Sequence, residues 1–305
     1  MYMNGYCLMT NDVENTSING GLHDEIGMKV WKEAMPRLLD LYQQYNVRAT
    51  FYFVADFARQ YPQIVKMIQP YGHEVACHGF THDYSQAFDV MDINMQIKHL
   101  SLAKNILEDI SGTEVISFRA PALRVNAHTV MALEQTGFRT DSSVAPQRID
   151  MFMSLGSRNK MQWLGAPRRI YFVDQQNLAR SGSSGIVEFP VSGFGFPYIG
   201  TIMRLSPFIN RLTRNFLWLE NNNKMKKPVN FLIHPSEFVK EDEEQMSVKR
   251  RQTNPLLHYF SDVLRVQLKK KNLGEDAFPL FENELRFWQK RNFEFSTVKE
   301  IYKKL

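Results

Sequence analysis

The sequence predicts an α/β fold with a largely parallel sheet, and its length suits either one large α/β barrel or two modest domains. Short apolar runs alternate with longer segments of helical spacing along the chain, the pattern typical of parallel strands joined by helices. Polar residues also recur where predicted strands end. The carboxyl ends of barrel strands meet on one face, where active sites form. The residues at or just past these ends are Asp12, Glu14, His78, Arg119, Asp141 and His234.

The elements of the first half follow from apolar runs, helical spacing and turn residues. Gly72 and Gly112 close two of the helices, as expected for residues that end a helix in a left-handed conformation. The predicted strands are 6–10, 48–54, 73–77, 114–121 and 138–143, and the predicted helices are 27–46, 61–72, 89–112 and 126–137.

The second half is less regular. A long loop with some hairpin content is expected over 144–185, and a charged insertion over 241–252. The remaining predicted elements are a strand at 185–192, a helix at 204–222, a strand within 228–238, a helix at 278–292, and a last strand and helix within 293–305.

Composition is that of an ordinary globular protein. The chain has 305 residues, of which 44% are hydrophobic and 23% charged. The net charge of +5 is mild and spread out, whereas a nucleic-acid binder usually concentrates its charge in a patch. We therefore expect no nucleic-acid partner and only weak attraction to anionic surfaces or substrates.

The cysteines and the first residues bear on the cellular compartment. Cys7 and Cys77 lie in apolar runs and are predicted to be free, buried thiols. No signal peptide and no transmembrane helix are predicted, because no charged segment precedes a long apolar one and no run of 18 apolar residues occurs. A cytoplasmic location is the expectation.

The stretch CHGFTHDY places His78 and His82 four residues apart, directly after a predicted strand. Residues at this spacing share one face of a helical turn, so both imidazoles can reach one metal ion. The alternative is a pair of surface histidines at the start of a helix, since His-x-x-x-His also occurs by chance. The pair alone does not decide between the two.

Asp12 and Glu14 stand two apart at the end of the first strand, where residues share a side. Two carboxylates near two histidines suggest that one binds metal while the other takes a proton. Two histidines, one carboxylate and an open position suit a catalytic zinc-type ion, which lowers the pKa of a bound water. Alone, these carboxylates would more simply cap a turn.

Arg119 and His234 follow later strands, in the stretches SFRAP and NFLIHP. The guanidinium of Arg119 can orient a carboxylate such as Asp12, although a surface salt bridge is the commoner role for an arginine. His234 can protonate a leaving amine, although a lone histidine is more often half-buried and bonded to backbone.

Taken together, these motifs resemble the polysaccharide deacetylase family, also called the NodB-homology domain or carbohydrate esterase family four. The family order is an acidic first strand end, His-x-x-x-His, an Arg-x-Pro strand end and a late Leu-x-His. Here they stand in that order as TNDVE, HGFTH, FRAP and LIH. The resemblance implies a distorted (β/α) barrel in a single domain, 1–305, with insertions at about 144–185 and 236–275.

The resemblance also implies the roles of the site residues. A divalent ion, with Zn2+ expected, is held by Glu14, His78 and His82. Asp12, oriented by Arg119, is the base, and His234 is the acid. The backbone N–H of Ala122 is a candidate oxyanion donor. Asp141 and Glu188 are expected to contact the substrate.

The first motif departs from the usual pair of adjacent aspartates. Glu14 is taken to replace the metal-binding aspartate one residue later, as in the allantoinase-like branch of the family. The alternative is that Asp12 itself binds the metal and the base is weak or supplied otherwise.

The implied activity is metal-dependent removal of an N-acetyl group from a carbohydrate. Two alternatives stay open, hydrolysis of a small cyclic amide or formamide and non-catalytic carbohydrate binding. A non-haem iron oxygenase also fits two histidines and a carboxylate, but those sites normally lie on another fold.

Two interpretations also stay open for contact with a membrane. The segment 201–219 is basic on one side and carries Phe208, Phe216, Leu217 and Trp218. It can rest on a membrane surface, which would suit a lipid-linked saccharide in surface polysaccharide biosynthesis. The alternative is a helix packed beside the barrel, which is the more common arrangement.

Overall fold

A curled, mostly parallel sheet forms the centre of the molecule. The computed structural model describes residues 5–17, 21–147, 163–222, 227–242 and 264–305. Its strands, in chain order, are β1 (Gly5–Val13), β2 (Thr50–Phe53), β3 (Glu74–Cys77), β4 (Ser117–Phe118), β5 (Thr140–Asp141), β6 (Tyr171–Asp174), β7 (Asn177–Ser181), β8 (Val187–Glu188), β9 (Gly193–Phe194), β10 (Phe196–Pro197), β11 (Val229–Ile233) and β12 (Phe293–Phe295).

The strand order makes this sheet a distorted (β/α) barrel. Parallel neighbours run in the order β11-β1-β2-β3-β4-β5-β8, and the hairpin β6–β7 is added antiparallel to β8. The segment after β8 returns to β11, where the N–H of Ser192 donates to the carbonyl of Asn230 at 2.9 Å. The sheet therefore curls round until the two sides of the parallel part meet.

The strand β1 lies at the middle of this arrangement. It pairs with β2 and β11 on its two edges, and its first residues pair with β12. Eight of its nine residues are buried, as expected for a central parallel strand covered on both faces. Cys7 belongs to this buried stretch, and both Cys7 and Cys77 are free and buried, which confirms the prediction for the two thiols.

Helices cover the outside of the sheet. In chain order they are α1 (Asp24–Lys29), α2 (Met35–Gln44), α3 (Ala55–Gln60), α4 (Pro62–Lys66), α5 (Ile93–Ser111), α6 (Thr129–Gln135), α7 (Gly200–Leu205), α8 (Pro207–Asn222), α9 (Leu264–Lys269), α10 (Ala277–Gln289) and α11 (Val298–Tyr302). None of the helices in the described parts of the chain is long and apolar enough to cross a membrane.

The predicted helix 27–46 forms one continuous helical segment whose hydrogen bonding is irregular at one turn. A π-helical turn, Val30–Ala34, separates α1 from α2. Pro36 stands at the start of α2 and has no N–H to donate to the carbonyl of Lys32, so the regular ladder is broken there. The helical spacing of apolar residues predicted the length of this helix but not its π-helical turn.

Other elements are shorter than predicted. The segment 61–72 forms α4 and a 3-10 turn, Gln69–Tyr71, and ends at Gly72 with a φ of 70°. The helix predicted at 89–112 begins at Ile93, because Asp92 caps it by accepting from the N–H of Met95 at 2.9 Å. The predicted strands 114–121 and 185–192 keep only two paired residues each.

The two irregular regions are partly described. A hairpin, β6–β7, does occur within 144–185, but residues 148–162 lie outside the described part. Most of the charged insertion predicted at 241–252 also lies outside it, from residue 243 onward.

Candidate active site

The carboxyl ends of the parallel strands bring five titratable side chains together. Asp12 is the penultimate residue of β1, and Glu14 follows that strand directly. His78 comes immediately after β3, Arg119 after β4 and His234 after β11. Because these strands run parallel, side chains far apart in sequence meet at one edge.

Glu14, His78 and His82 form a compact cluster. The Oε2 atom of Glu14 lies 3.0 Å from Nε2 of His82 and 3.6 Å from Nε2 of His78. One ligand atom from each residue lies within 4.8 Å of the other two. This is the set of three atoms that a single ion can contact.

The two histidines are held by a loop, not by the helical turn that their spacing suggested. Residues 78–83 have no helical hydrogen bonds, and Gly79 has a φ of 75°. The first N–H groups of α3 fix the loop, since Ala55 donates to the carbonyl of Gly79 at 3.0 Å and Asp56 to that of Phe80 at 2.9 Å. A Cβ atom at Gly79 would lie 3.1 Å from Cγ of Pro121, so both conformation and space favour glycine.

The cluster fits a divalent metal ion. Nδ1 of His78 lies 2.9 Å from the carbonyl of Arg119 and can donate to it, which leaves Nε2 as the unprotonated nitrogen facing Glu14. The hydroxyl of Thr16 donates to Oε1 of Glu14. The buried Oε2 atom accepts no hydrogen bond of ordinary geometry from the described residues. A buried carboxylate oxygen without a donor is costly unless a ligand completes it.

The pKa shifts in the cluster favour an ionised Glu14 and a neutral His82, whereas that of His78 goes the other way. Burial alone would raise the pKa of Glu14, but His82, His78 and His234 outweigh it and hold that pKa well below its usual range. Burial lowers the pKa of His82 despite the nearby Glu14. Burial acts the same way on His78, but Asp12 and Glu14 outweigh it and raise its pKa.

Asp12 stands beside the cluster and is held by Arg119. Nη1 of Arg119 donates to Oδ1 of Asp12 at 2.7 Å, and both side chains are almost fully buried. The other oxygen, Oδ2, lies 3.9 Å from Nε2 of His78 and 3.8 Å from Nε2 of His234. One carboxylate oxygen is thus fixed by the guanidinium while the other faces the histidines.

Arg119 lies against a group of buried polar residues, Thr10, Ser142 and Asn230, which we call the polar floor. The sequence interpretation did not include these residues. Its Nη2 atom donates to Oγ of Ser142 at 2.7 Å and to Oγ1 of Thr10 at 3.0 Å, and its guanidinium lies 4.3 Å from the ring centre of Tyr52. Oγ1 of Thr10 donates to Oδ1 of Asn230 at 2.9 Å, which joins β1 to β11.

A signal for part of this floor is present in the sequence. Thr10 is two residues before Asp12 and therefore faces the same side of β1. Tyr52 lies directly opposite Asp12 in the register of β1 and β2. Counting every second residue back from the strand ends would have found Thr10, but Ser142 and Asn230 depend on pairing that only the fold supplies.

His234 is more accessible than the other members of the site, with 29% of its side chain exposed. Its backbone N–H donates to Oε2 of Glu237 at 3.3 Å, and Oε1 of Glu237 accepts from two nitrogens of the buried Arg204, at 3.2 and 3.3 Å. Arg204 in turn donates to the carbonyls of Lys269 and Lys271. The turn that carries His234 is therefore tied to the C-terminal third of the chain.

The structure does not bring Asp141 and Glu188 to an accessible surface. Both are fully buried and are register partners in β5 and β8. Asp141 accepts from the N–H and hydroxyl of Ser143, and Glu188 from the N–H of Val144 at 3.0 Å. Burial raises both pKa values, and Asp141 raises that of Glu188 further. Their contact with substrate stays a prediction.

Ala122 lies in a tight turn after Pro121. Ala122 and Leu123 have φ values of 51° and 53°, a left-handed conformation that costs a non-glycine residue about 1 kcal/mol. Such backbone strain clusters at functional sites. The use of the Ala122 N–H as an oxyanion donor stays a prediction.

Comparison with known proteins agrees with the motifs. The family model for polysaccharide deacetylase matches residues 25–140, which include His78, His82 and Arg119. A peptidoglycan deacetylase of Helicobacter pylori is 27% identical over 118 residues, 39% of this chain and 39% of that protein. A chitooligosaccharide deacetylase of Azorhizobium caulinodans is 30% identical over 114 residues, 37% of this chain and 53% of that protein.

A likeness of fold extends over nearly the whole chain. The "probable polysaccharide deacetylase" of Pseudomonas aeruginosa has a solved structure that covers 98% of this chain and 90% of its own, with a TM-score of 0.60 and 14% identity. Residues 25–140 therefore match the polysaccharide deacetylase family, and the fold of nearly the whole chain is similar to that of the Pseudomonas aeruginosa protein.

Proposed function

We propose that this protein is a metal-dependent hydrolase that removes an N-acetyl group from a carbohydrate. The single observation that carries the proposal is the buried, unsatisfied Oε2 atom of Glu14. It faces Nε2 of two histidines, directly beside an aspartate that an arginine holds in place.

Glu14, His78 and His82 are the residues that would hold the ion. A divalent ion there, with Zn2+ the best fit for two imidazoles and a carboxylate, supplies a Lewis acid for the acyl oxygen and lowers the pKa of a bound water.

The protein's own residues account for the proton transfers. Asp12 takes a proton from a water molecule as the water oxygen bonds to the acyl carbon, and Arg119 keeps the Asp12 carboxylate oriented. The C–N bond then breaks, and His234 donates a proton to the departing nitrogen. The products are acetate and a free amine. Nε2 of His234 lies 3.8 Å from Oδ2 of Asp12, so the two side chains lie near one reacting group between them.

The substrate class follows from the relatives, whose names specify peptidoglycan and chitooligosaccharide. We propose an N-acetylated sugar, either polymeric or lipid-linked, in cytoplasmic steps of surface polysaccharide synthesis. The matched stretches span about half the length of those relatives or less, so the substrate is part of the proposal.

The test is acetate release by the zinc-loaded protein from chitooligosaccharides and peptidoglycan fragments, with a cyclic ureide as the competing substrate. Asp12→Asn should retain zinc but lose about 10²–10⁴-fold in rate, the usual loss when a general base is removed. Glu220→Gln is the matched control, since Glu220 also pairs with an arginine, Arg168, outside the site. Turnover of the ureide alone, or full activity in Asp12→Asn, would overturn the proposal.

A further inference from the structure

The helix α8 buries mainly polar side chains and exposes several large apolar ones. The positions that face the core recur at 210, 213, 217 and 221, and three of them are polar residues with at most 4% exposure, namely Asn210, Thr213 and Asn221. Its opposite side carries Phe208, Leu212 and Leu219, which are 70%, 53% and 51% exposed. An ordinary surface helix shows the opposite arrangement, so this outer side calls for a partner.

The sequence had indicated that this segment can rest on a membrane surface, but the exposed apolar residues are partly different ones. Leu217, expected among the surface aromatic and apolar residues, is 1% exposed and packs in the core. Phe216 stacks on Phe194 with ring centres 3.5 Å apart, and Phe194 itself is 45% exposed. We call Phe194, Phe208, Leu212 and Leu219 the apolar face.

A cationic cavity opens beside α8. It measures about 410 Å³ and lies between α8 and α10. Among the lining residues that the structure describes, one is acidic, Glu284. The cationic lining residues are Arg211, Arg214, Arg286, Lys290 and Arg291.

The positive charge of this cavity is only partly compensated. Arg214 donates to Glu284 at 2.7 Å, and Arg286 to Glu282 at 2.6 Å. The guanidiniums of Arg214 and Arg291 nevertheless lie over the same ring, that of Phe287, at 3.9 and 3.5 Å from its centre. The two guanidiniums carry like charges at one ring, and a bound anion would offset their mutual repulsion.

An exposed apolar face beside a cluster of cations is the arrangement of helices that lie on anionic membranes. The net charge of +5 has the complementary sign. A second copy of the chain fits less well, because a two-fold contact would bring the same cations face to face. We propose that α8 docks on an anionic lipid bilayer. The apolar face then enters the headgroup boundary, and the cations that flank it, Arg211 first among them, attract the lipid phosphates.

The test is co-sedimentation of the full chain with vesicles of phosphatidylglycerol and phosphatidylcholine, against vesicles of phosphatidylcholine alone. We expect binding to the anionic vesicles that weakens as salt is raised. Leu212→Ser/Leu219→Ser should lower the partition coefficient at least about tenfold, since two side chains no longer bury apolar area. Arg211→Glu/Lys290→Glu should lower it by about fivefold or more for each cation removed.

Matched variants control for general effects on the surface. Met95→Ser/Leu102→Ser changes two residues of equal exposure, 41% each, on α5, and Lys66→Glu/Lys303→Glu changes two exposed lysines elsewhere. Both should bind vesicles more strongly than their α8 counterparts. The proposal is overturned if wild type does not bind anionic vesicles or if the α8 pairs bind like their controls. A dimer in solution that Leu212→Ser/Leu219→Ser abolishes would overturn it in favour of a second copy.

Discussion

The two ends of the sheet each bury a glutamate, and the surroundings of the two carboxylates differ. At the amino end, Glu74 begins β3 and accepts from the hydroxyls of Thr50 and Ser117 and from the N–H of Lys299. At the carboxyl end, Glu14 accepts from Thr16 at one oxygen, while the other faces two imidazole nitrogens without a donor of ordinary geometry.

The comparison shows how a buried carboxylate with a structural role differs from one with a functional role. A buried carboxylate whose oxygens are all bonded within the protein joins strands and helices together, as Glu74 does for β2, β3, β4 and α11. A buried carboxylate with an incomplete set of partners is stable only if something else completes it. Of these two glutamates, which are both under 8% exposed, Glu14 points to a ligand, because its unpartnered oxygen also faces two histidines.

The largest expected effect is the loss of activity in a variant at the carboxyl end of the sheet. The double variant His78→Ala/His82→Ala should reduce acetate release to the uncatalysed background, because it removes two of three ligand atoms. The protein should remain folded, which circular dichroism and a thermal scan would check. His128→Ala, an exposed histidine on α6's N-terminal side, should keep full activity. If the double variant kept its activity, the cluster of Glu14, His78 and His82 would not be the catalytic site.

The next effect concerns Arg119, which joins the site to its polar floor. Arg119→Gln leaves the buried Asp12 carboxylate unpaired, so we expect unfolding free energy to fall by about 3–5 kcal/mol. Arg119→Lys keeps the charge but not the fork of donors, and should lose activity with a smaller loss of stability. Urea unfolding and acetate release on the same samples distinguish the two variants. Equal stability of wild type and Arg119→Gln would contradict the account.

A smaller effect is expected at the amino end. Glu74→Ala leaves the donors of Thr50, Ser117 and Lys299 without their acceptor and should destabilise the protein by about 2–4 kcal/mol. Metal content and activity per folded molecule should be unchanged, because no atom of the cluster is touched. Urea unfolding and metal analysis check this. A loss of metal in folded Glu74→Ala would show that the two ends are not separable.

The smallest effect is a pH dependence of stability at the same amino end. His73 accepts from the N–H of Ala49 at 3.1 Å, and burial lowers its pKa to about 4. Unfolding returns that pKa to about 6.5, so the unfolded state binds the extra proton between those values and stability falls as pH falls. We expect His73 to cost about 2 kcal/mol at pH 5 relative to pH 7. Urea unfolding of wild type and His73→Gln at both pH values isolates this contribution, and parallel losses in both proteins would contradict it.

Much of the site could be predicted because each residue stands at a strand end within a recognisable motif. Asp12, Glu14, His78, Arg119 and His234 all lie where parallel strands finish, and the fold brings them together. The order of strands and helices was also correct, since apolar runs and helical spacing are local signals.

What the sequence did not reveal depends on long-range geometry. The spacing of His78 and His82 suggested a helical turn, but Gly79 adopts a left-handed conformation and α3 binds the loop carbonyls. Glu188 stands at a strand end like the site residues, yet it pairs with Asp141 inside the sheet. Periodicity does not distinguish a side chain that faces the opening from one that faces a neighbouring strand.

The most direct test of the central claim is calorimetric titration of the metal-free protein with Zn2+. The same titration is made for Glu14→Gln, for His78→Ala/His82→Ala and for Glu74→Gln. We expect about one ion per chain for wild type and for Glu74→Gln, and little or no binding for the two site variants. Equal binding by all four proteins, or no binding by wild type, would contradict the claim that Glu14, His78 and His82 form a metal site.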